Sequence, residues 1–349
     1  MKYKIPFSKP YVGIEEVAAI TKVIQSGNLV GGGVVEEFER NFADYVGSQY
    51  AVALGSCSAA LHIAVAYQKS KEPQHSQRTK VLVPSLTFSS TASATVNNNL
   101  EPVFVDVEKD GRFCVNLDNF YDSADVLLKI PVALTGNEIK IENKNRVVID
   151  SAHRIRRDDG KDGITRCFSF HPTKEITTGF GGMLTTDDAE LYLYAKKARI
   201  HGIAFKGDKT YGYQVEFVGW KMNMTDMTAN MGIEQLKKLD FMTAERQRCV
   251  DRYNKNLGLN RTGLHLYPIF VENREQFISA MEDAGIECSI HFAPLHLMPA
   301  YRAFNKKELP NSEYYGARVV SLPLFPELTN QEIDEICQKV ATPQSLLLE

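Results

Sequence analysis

The sequence lacks the features that would place it outside the ordinary globular class. Its formal net charge is −3 over 349 residues, so no strong field gathers nucleic acid or an anionic membrane. No apolar run approaches the roughly 20 residues that span a bilayer, and the first residues show no apolar stretch of the signal-peptide type. We therefore expect a soluble, cytoplasmic protein that works without nucleic acid or a membrane.

Cysteine is scarce and scattered. The six cysteines include no Cys-x-x-Cys pair, which argues against a zinc site and against a disulfide framework. We expect free thiols, as in a reducing compartment. His291 and His296 raise the alternative of a metal site, but their spacing fits no helix face and Pro294 lies between them. The sequence therefore predicts no metal site.

What the chain does contain is a regular alternation of helical patterns and short apolar runs. The first helical pattern puts Val17, Ile20 and Ile24 on one stripe. Short apolar strands separated by helices are typical of a mostly parallel sheet covered on both faces. We predict an α/β fold with a large domain over residues 1–235 and a smaller C-terminal α/β domain over residues 236–349, on which the extreme N-terminus packs.

Polar side chains lie where several predicted strands end. Asp150 and Ser169 each close a strand, and Cys57 and Ser58 lie in the turn between a strand and a helix. Ligands of parallel sheets bind at the carboxyl ends of the strands, and the N–H groups of a helix N-terminus favour an anion. A plain tight turn at residues 57–58 and a helix cap at Asp150 remain alternatives.

Lys174 lies in "SFHPTKEITTGFGG", five residues after Ser169. A solvated loop lysine is the ordinary interpretation. Beside a buried acid and an anion cradle, however, this lysine completes the parts of a pyridoxal phosphate site. The lysine forms an imine, Asp150 holds the pyridine nitrogen and the helix terminus holds the phosphate. Phe88 is either a ring that stacks on the cofactor or a core aromatic.

The chain resembles the nucleotide-sugar aminotransferases of the DegT/StrS type, which are fold-type I pyridoxal phosphate enzymes that work as homodimers. The resemblance runs nearly end to end. It is carried by ordered motifs, among them "GSCSAALHIAV", "LTFSSTA", "VVIDSAH", "CFSFHPTKEITTGFGGMLTTDD" and "GWKMNMTDMTANMGIEQLKKLD". It implies the same fold, the same cofactor and active sites shared between two subunits.

The resemblance also implies roles for single residues. Lys174 matches the Schiff-base lysine, and Asp150 matches the partner of the pyridine nitrogen. His153 matches a residue beside the cofactor hydroxyl, and Phe88 matches the stacking aromatic. The other implied cofactor residues are Cys57 and Ser58 of the phosphate turn, the phosphate serine Ser169, and Asn223, which reaches the phosphate of the neighbouring subunit.

Several positions depart from the family pattern. Cys57 replaces the usual glycine or alanine, and Phe180 stands where the loop usually has glutamate. Arg154 and Arg156 occupy positions where small residues are usual, which makes them candidates for binding a substrate pyrophosphate, with a solvated pair as the alternative. His296 is a further candidate substrate residue. The segment between residues 108 and 150 is also shorter than in the family.

The activity that the resemblance implies is transfer of an amino group from L-glutamate to a nucleotide-linked keto sugar, in surface polysaccharide or O-antigen biosynthesis. The segment "GWKMNMTDM" resembles the form found in members that aminate the fourth carbon of a 4-keto-6-deoxyhexose. A 3-keto sugar substrate and a non-catalytic regulatory protein are the alternatives. Dehydratases of the family carry histidine at the lysine position, so Lys174 argues against that activity.

Overall fold

The structure is a computed structural model that describes residues 3–108, 122–139, 141–205 and 212–340. Cys114 lies outside these ranges. The α-helices of the described residues are α1 (Ile14–Ser26), α2 (Val34–Val46), α3 (Cys57–Ser70), α4 (Ser89–Val96), α5 (Ala189–Ala198), α6 (Asp226–Leu257), α7 (Arg274–Asp283), α8 (Pro310–Arg318) and α9 (Asn330–Val340).

The strands of the same ranges are β1 (Tyr50–Leu54), β2 (Lys80–Pro84), β3 (Glu101–Val105), β4 (Val126–Lys129), β5 (Val148–Asp150), β6 (Thr165–Ser169), β7 (Gly182–Thr186), β8 (Ile203–Phe205), β9 (Tyr213–Val215), β10 (Tyr267–Phe270) and β11 (Val319–Leu322). Within these described residues, no helix is long and apolar enough to cross a lipid bilayer.

One seven-stranded sheet forms the centre of the molecule. Strands β3, β2 and β4 pair in parallel, as do β5 and β6. Parallel bridges from Lys129 to Val147 and from Val132 to Asp150 join the two groups. Strand β7 pairs antiparallel with both β6 and β1. The order is therefore β3-β2-β4-β5-β6-β7-β1 with β7 alone reversed, which confirms the predicted mostly parallel sheet.

Helices cover both faces of this sheet. Alternate residues of a strand point to opposite faces, and β1 shows the consequence. Val52 and Leu54 pack in a core with α3, α4 and α5, whereas Ala51 and Ala53 pack in a second core with α2 and the first half of α6. Sequence periodicity predicted this two-sided burial correctly.

The stripe predicted on α1 faces outward instead of toward the core. Val17 and Ile24 are exposed, while Glu16, Ala19 and Val23 are buried. The reason lies in α6, against which α1 packs: Gln235 of α6 donates a hydrogen bond to Glu16 at 2.8 Å. A polar contact therefore determines which face of α1 is buried.

A third core lies around β10 and β11, which pair antiparallel. It contains residues from Cys249 to Val340 together with Ile5, whose backbone pairs with residues 285–287. Helix α6 contributes its first half to the sheet and its second half to this core. The long helix therefore connects the two parts, while the division at residue 235 remains a prediction.

A buried ion pair supports the edge of the sheet next to the turn after β1. Glu39 of α2 accepts a hydrogen bond from the Ala53 N–H at 2.8 Å and pairs with Arg199 and with Lys196. Arg199 in turn donates to the Ala53 carbonyl at 2.7 Å. Because an edge strand leaves backbone groups unpaired, this pair satisfies β1 just before residues 55–58.

We expect Glu39→Ala to destabilise the protein by about 3–5 kcal/mol, because it leaves Arg199 buried without its counter-charge. The free energy of unfolding, measured by urea titration, checks this. Glu37→Ala is the control: Glu37 is exposed on the same helix, and its loss should change the free energy by less than about 0.5 kcal/mol. Equal effects of the two substitutions would contradict the role given to Glu39.

Candidate active site

A cavity of about 430 Å³ opens at the carboxyl ends of β5 and β6 and beside the turn that follows β1. Most of the residues that the sequence assigned to a cofactor line it, namely Cys57, Ser58, Phe88, Asp150, His153, Ser169 and Lys174. They come from four separate segments, and the fold brings those segments to one cavity.

Lys174 lies in a turn after β6, where its N–H donates to the His171 carbonyl at 2.9 Å. The side chain is half-buried and faces the cavity. Loss of solvent lowers the pKa of Lys174 to about 8, although the charges of Asp150, Cys57 and Glu175 act in the opposite direction. A substantial fraction of the amine is therefore neutral near physiological pH, as a nucleophile or a general base requires.

Asp150 ends β5 and is almost fully buried. Burial raises the pKa of its carboxyl group, and nearby donors offset part of that rise. Thr91 donates to Oδ2 at 2.8 Å, the Ala152 N–H donates to Oδ1 at 3.1 Å, and the Cys57 thiol lies 3.9 Å from Oδ1. The carboxylate is thus held in one orientation at the wall of the cavity.

The turn before α3 presents a helix N-terminus to the cavity. Ser56 caps the helix by accepting the Ala59 N–H at 3.1 Å, and the remaining N–H groups of a first helical turn have no partner within the helix. Gly182 of β7 lies against this turn, where a Cβ would come within 2.3 Å of the Ser56 carbonyl carbon. Only glycine allows this approach, so β7 packs directly against the backbone of the turn.

His153 is buried, and its Nδ1 has no hydrogen-bond partner among the described residues. Burial, reinforced by the charges of Lys174 and His291, holds the pKa of His153 well below its usual range. The ring of His265 lies 4.3 Å from that of His153, centroid to centroid. A neutral imidazole with an unused polar atom therefore stands beside the cavity.

Sequence reasoning missed His291 and Phe292 as cavity residues and considered His291 only as a metal ligand. Both line the cavity, and burial lowers the pKa of His291 to about 4. Its Nδ1 lies 3.0 Å from the Ser321 hydroxyl, and its ring stacks on Phe7. These residues come from the C-terminal part of the chain, and no local pattern in "SIHF" indicates that contact.

The two arginines predicted to bind substrate are not brought to this cavity. Arg154 pairs with Asp159 at 2.9 Å and donates to the Gly136 carbonyl at 3.1 Å. It lines a different cavity, of about 650 Å³, that contains neither Lys174 nor Asp150. Arg156 pairs with the buried Glu175 at 2.8 Å. Salt bridges therefore engage both guanidinium groups, and a contact of either arginine with a substrate pyrophosphate stays a prediction.

His296 and Asn223 also lie outside the cavity lining. His296 is fully buried, with Nδ1 2.6 Å from the Ser85 hydroxyl and Nε2 3.2 Å from Glu313. It joins two segments and has no free atom for a substrate. Asn223 bridges to Leu54 beside the phosphate turn, and its amide donates to the Met224 carbonyl at 3.3 Å. Its contact with a second subunit stays a prediction.

These residues suit pyridoxal phosphate. Within the described ranges, the hydrogen-bond donors to Asp150 are a hydroxyl, an amide and a thiol, so a protonated ring nitrogen would supply the missing cation. The unused Nδ1 of His153 is a polar atom that would be available to the hydroxyl of the cofactor. The N-terminus of α3 suits the phosphate, and the exposed ring of Phe88 suits the face of the cofactor.

The chain is similar to known proteins along nearly its whole length. The spore coat polysaccharide biosynthesis protein SpsC of Bacillus subtilis is 32% identical over 381 aligned positions, covering 96% of both chains. The PLP form of Spr1654 from Streptococcus pneumoniae has a TM-score of 0.85 at 25% identity, covering 96% of this chain and 97% of that one. A DegT DnrJ EryC1 StrS aminotransferase from Brucella abortus has a TM-score of 0.81 at 27% identity, covering 94% and 95%.

Fold, site and similarities together define a pyridoxal phosphate-dependent sugar aminotransferase. The chain belongs to the DegT/DnrJ/EryC1/StrS aminotransferase family, whose model matches residues 10–121 and 146–341. The resemblance inferred from the motifs is thereby confirmed, as are the fold class and the cofactor.

We expect Lys174 to react with an acylating reagent at a lower pH than other lysines in protein freed of cofactor. Its pKa of about 8 places half-maximal labelling near pH 8, below the ordinary lysine value of about 10.4. Peptide mass spectrometry across a pH series measures the midpoint. Asp150→Asn should lower the midpoint for Lys174 further, because the Asp150 charge raises that pKa. A midpoint for Lys174 near the ordinary lysine value would contradict the desolvation argument.

Proposed function

We propose that this enzyme transfers the amino group of L-glutamate to the keto carbon of a nucleotide-linked 4-keto-6-deoxyhexose, for surface polysaccharide biosynthesis. The observation that carries the transfer chemistry is the desolvated Lys174 beside the buried Asp150 in one cavity. Support for the sugar comes from residues 219–227, "GWKMNMTDM", and from the name of SpsC, which is a polysaccharide biosynthesis protein.

Bound pyridoxal phosphate supplies an electron sink for the charge left when a proton leaves the carbon bearing the amino group. Lys174 Nζ holds the cofactor in the resting enzyme and, once free, accepts and returns that proton. A pKa of about 8 suits both directions of this exchange. Asp150 would keep a proton on the ring nitrogen of the bound cofactor, and the unpartnered Nδ1 of neutral His153 would be available to its hydroxyl.

The rim of the cavity favours a substrate with an apolar face. Phe88 and Phe180 line it with their rings largely exposed, and Phe292 also lines it. Phe180 lies between Gly179 and Gly181, which leaves its ring unshielded by neighbours in sequence. A 6-deoxyhexose presents a methyl group and ring C–H groups that such aromatic side chains contact well.

A panel of keto-sugar nucleotides tests the substrate. We expect a 4-keto-6-deoxyhexose nucleotide to be aminated with glutamate and its 3-keto isomer to react at least about 100-fold more slowly, because a displacement of roughly 1 Å at the reacting carbon costs that much. Release of 2-oxoglutarate gives the rates, and mass spectrometry with NMR identifies the products. Faster turnover of the 3-keto isomer would overturn the choice of carbon. Absence of turnover with every sugar would favour a regulatory protein.

We further propose that the enzyme is a cytoplasmic homodimer. The outward stripe of α1, with Ile14, Val17 and Ile24 exposed, continues into exposed Leu29 and Val30. Apolar surface of this kind is typical of an interface with another chain. In such a dimer, Asn223 is proposed to contact the cofactor phosphate of the partner, since it stands beside the phosphate turn without lining its own cavity.

Mixing two inactive variants tests the shared site. In the proposed dimer, each site takes Lys174 from one subunit and Asn223 from the other. Lys174→Ala and Asn223→Ala therefore remove contributions of different subunits. Subunit exchange between them should restore about a quarter of the sites, because half of the two-fold dimers are hybrids with one intact site each. Steady-state turnover before and after mixing measures the gain. A fully active monomer in sedimentation, or no gain despite exchange, would contradict the shared site.

A further inference from the structure

Thr91 makes the closest side-chain contact with the Asp150 carboxylate. It lies in the first turn of α4, is fully buried, and places its hydroxyl 2.8 Å from Asp150 Oδ2. It lies in the motif "LTFSSTA" with Phe88, but the sequence indicated no role for it. The hydroxyl of Thr91 therefore has a defined target within the active site although it does not itself line the cavity.

The hydrogen bond to Asp150 also fixes the direction of a second hydrogen bond at Thr91. Thr91 Oγ1 also lies 3.1 Å from the hydroxyl of Thr87, which lines the cavity. A hydroxyl has one proton to donate, and an ionised carboxylate only accepts. Thr91 therefore donates to Asp150 and accepts from Thr87. The three groups form a chain that runs from the cavity wall to the carboxylate.

The electrostatic setting shows why this donor matters. Burial raises the pKa of Asp150, and the hydrogen bond from Thr91 is the largest of the effects that oppose the rise. The other groups that face the carboxylate are the Ala152 N–H, the Cys57 thiol and the Lys174 amine, with the Cys167 thiol nearby. Burial raises the pKa of both thiols, so neither is a competing anion.

We propose that Thr91 is a positioning residue that keeps the Asp150 carboxylate ionised and aimed at the ring nitrogen of the cofactor. The proposal rests on the proposed role of Asp150 as partner of that nitrogen. Thr91 acts through Asp150 and touches neither cofactor nor substrate. Helix α4 thereby takes part in the chemistry, beyond presenting Phe88 at its start.

Three substitutions separate this role from simple packing. Thr91→Val removes the hydroxyl at nearly constant volume, and Thr91→Ser keeps the hydroxyl. Thr95→Val is the matched control, because Thr95 lies one turn further along α4, is equally buried, and has a hydroxyl without a hydrogen-bond partner among the described residues. Unfolding of each cofactor-free protein first establishes that the variants fold, and Thr91→Ala serves as a second probe if Thr91→Val does not fold.

We expect Thr91→Val to weaken cofactor binding and to lower kcat, each by about 10- to 100-fold, as for loss of a hydrogen bond to a charged group. The KM for the sugar nucleotide should stay within about threefold, because Thr91 does not contact substrate. Thr91→Ser should recover most of the loss, and Thr95→Val should behave as the parent. Equilibrium titration of the cofactor-free protein with pyridoxal phosphate, followed by absorbance, measures binding without turnover.

A pH series of the same titration gives an independent readout. Removing a donor raises the pKa of the carboxyl group, so Asp150 becomes protonated at a higher pH in Thr91→Val. Cofactor affinity should therefore fall at a higher pH on the acid side than in the parent or in Thr95→Val. An unchanged acid limb, or binding and kcat equal to those of Thr95→Val, would overturn the proposal.

The double variant Thr91→Val with Asp150→Asn distinguishes the possible failures. If Thr91 acts through Asp150, the double variant should be no worse than Asp150→Asn alone, since effects within one unit are not additive. A full additive loss would show that Thr91 acts elsewhere and would overturn the proposal. If Asp150→Asn alone kept near-parental activity and cofactor affinity, the role of Asp150 itself would fail, and the proposal for Thr91 with it.

Discussion

Burial of a charged carboxylate at the end of β5 is the constraint on which the site depends. An ion in a low-dielectric environment is costly unless hydrogen bonds and an opposite charge compensate it. Asp150 receives donors from α3, from α4 and from its own chain two residues on. Both helices pack in the same core on one face of the sheet, so the order of strands, which sets where they lie, is part of the chemistry.

The same cavity affects Lys174 in the opposite sense. Loss of solvent destabilises any charged form, and it therefore raises the pKa of Asp150 and lowers that of Lys174. Hydrogen-bond donors fixed by the fold oppose the rise in the pKa of Asp150. The fall in the pKa of Lys174 is opposed chiefly by the charge of Asp150, which makes no hydrogen bond to the amine among the described residues. In one environment, Asp150 thus stays an anion and Lys174 readily loses its proton. Amino-group transfer needs both properties.

The arginine pair shows that closeness in sequence does not place a side chain in the cavity. Arg154 and Arg156 stand close to the predicted site in sequence, and a pyrophosphate contact is chemically reasonable. In the structure, Asp159 and Glu175 occupy their guanidinium groups. Glu175 adjoins Lys174 in the chain, yet its side chain turns away to Arg156 and to the Ile155 N–H. The sequence shows that an arginine is present, but only the fold shows which acidic side chain pairs with it.

The sequence by itself determined the sheet class and placed Asp150 and Lys174 after strands of that sheet, because short-range patterns and turn chemistry encode local backbone conformation. It did not indicate the buried face of α1, where the contact of Glu16 with Gln235 decides. Only the tertiary structure decided that Thr91, His265 and His291 surround the site. These residues are far apart along the chain. Strand order and helix packing determine which side chains lie together in a low-dielectric environment, and no local sequence pattern encodes that arrangement.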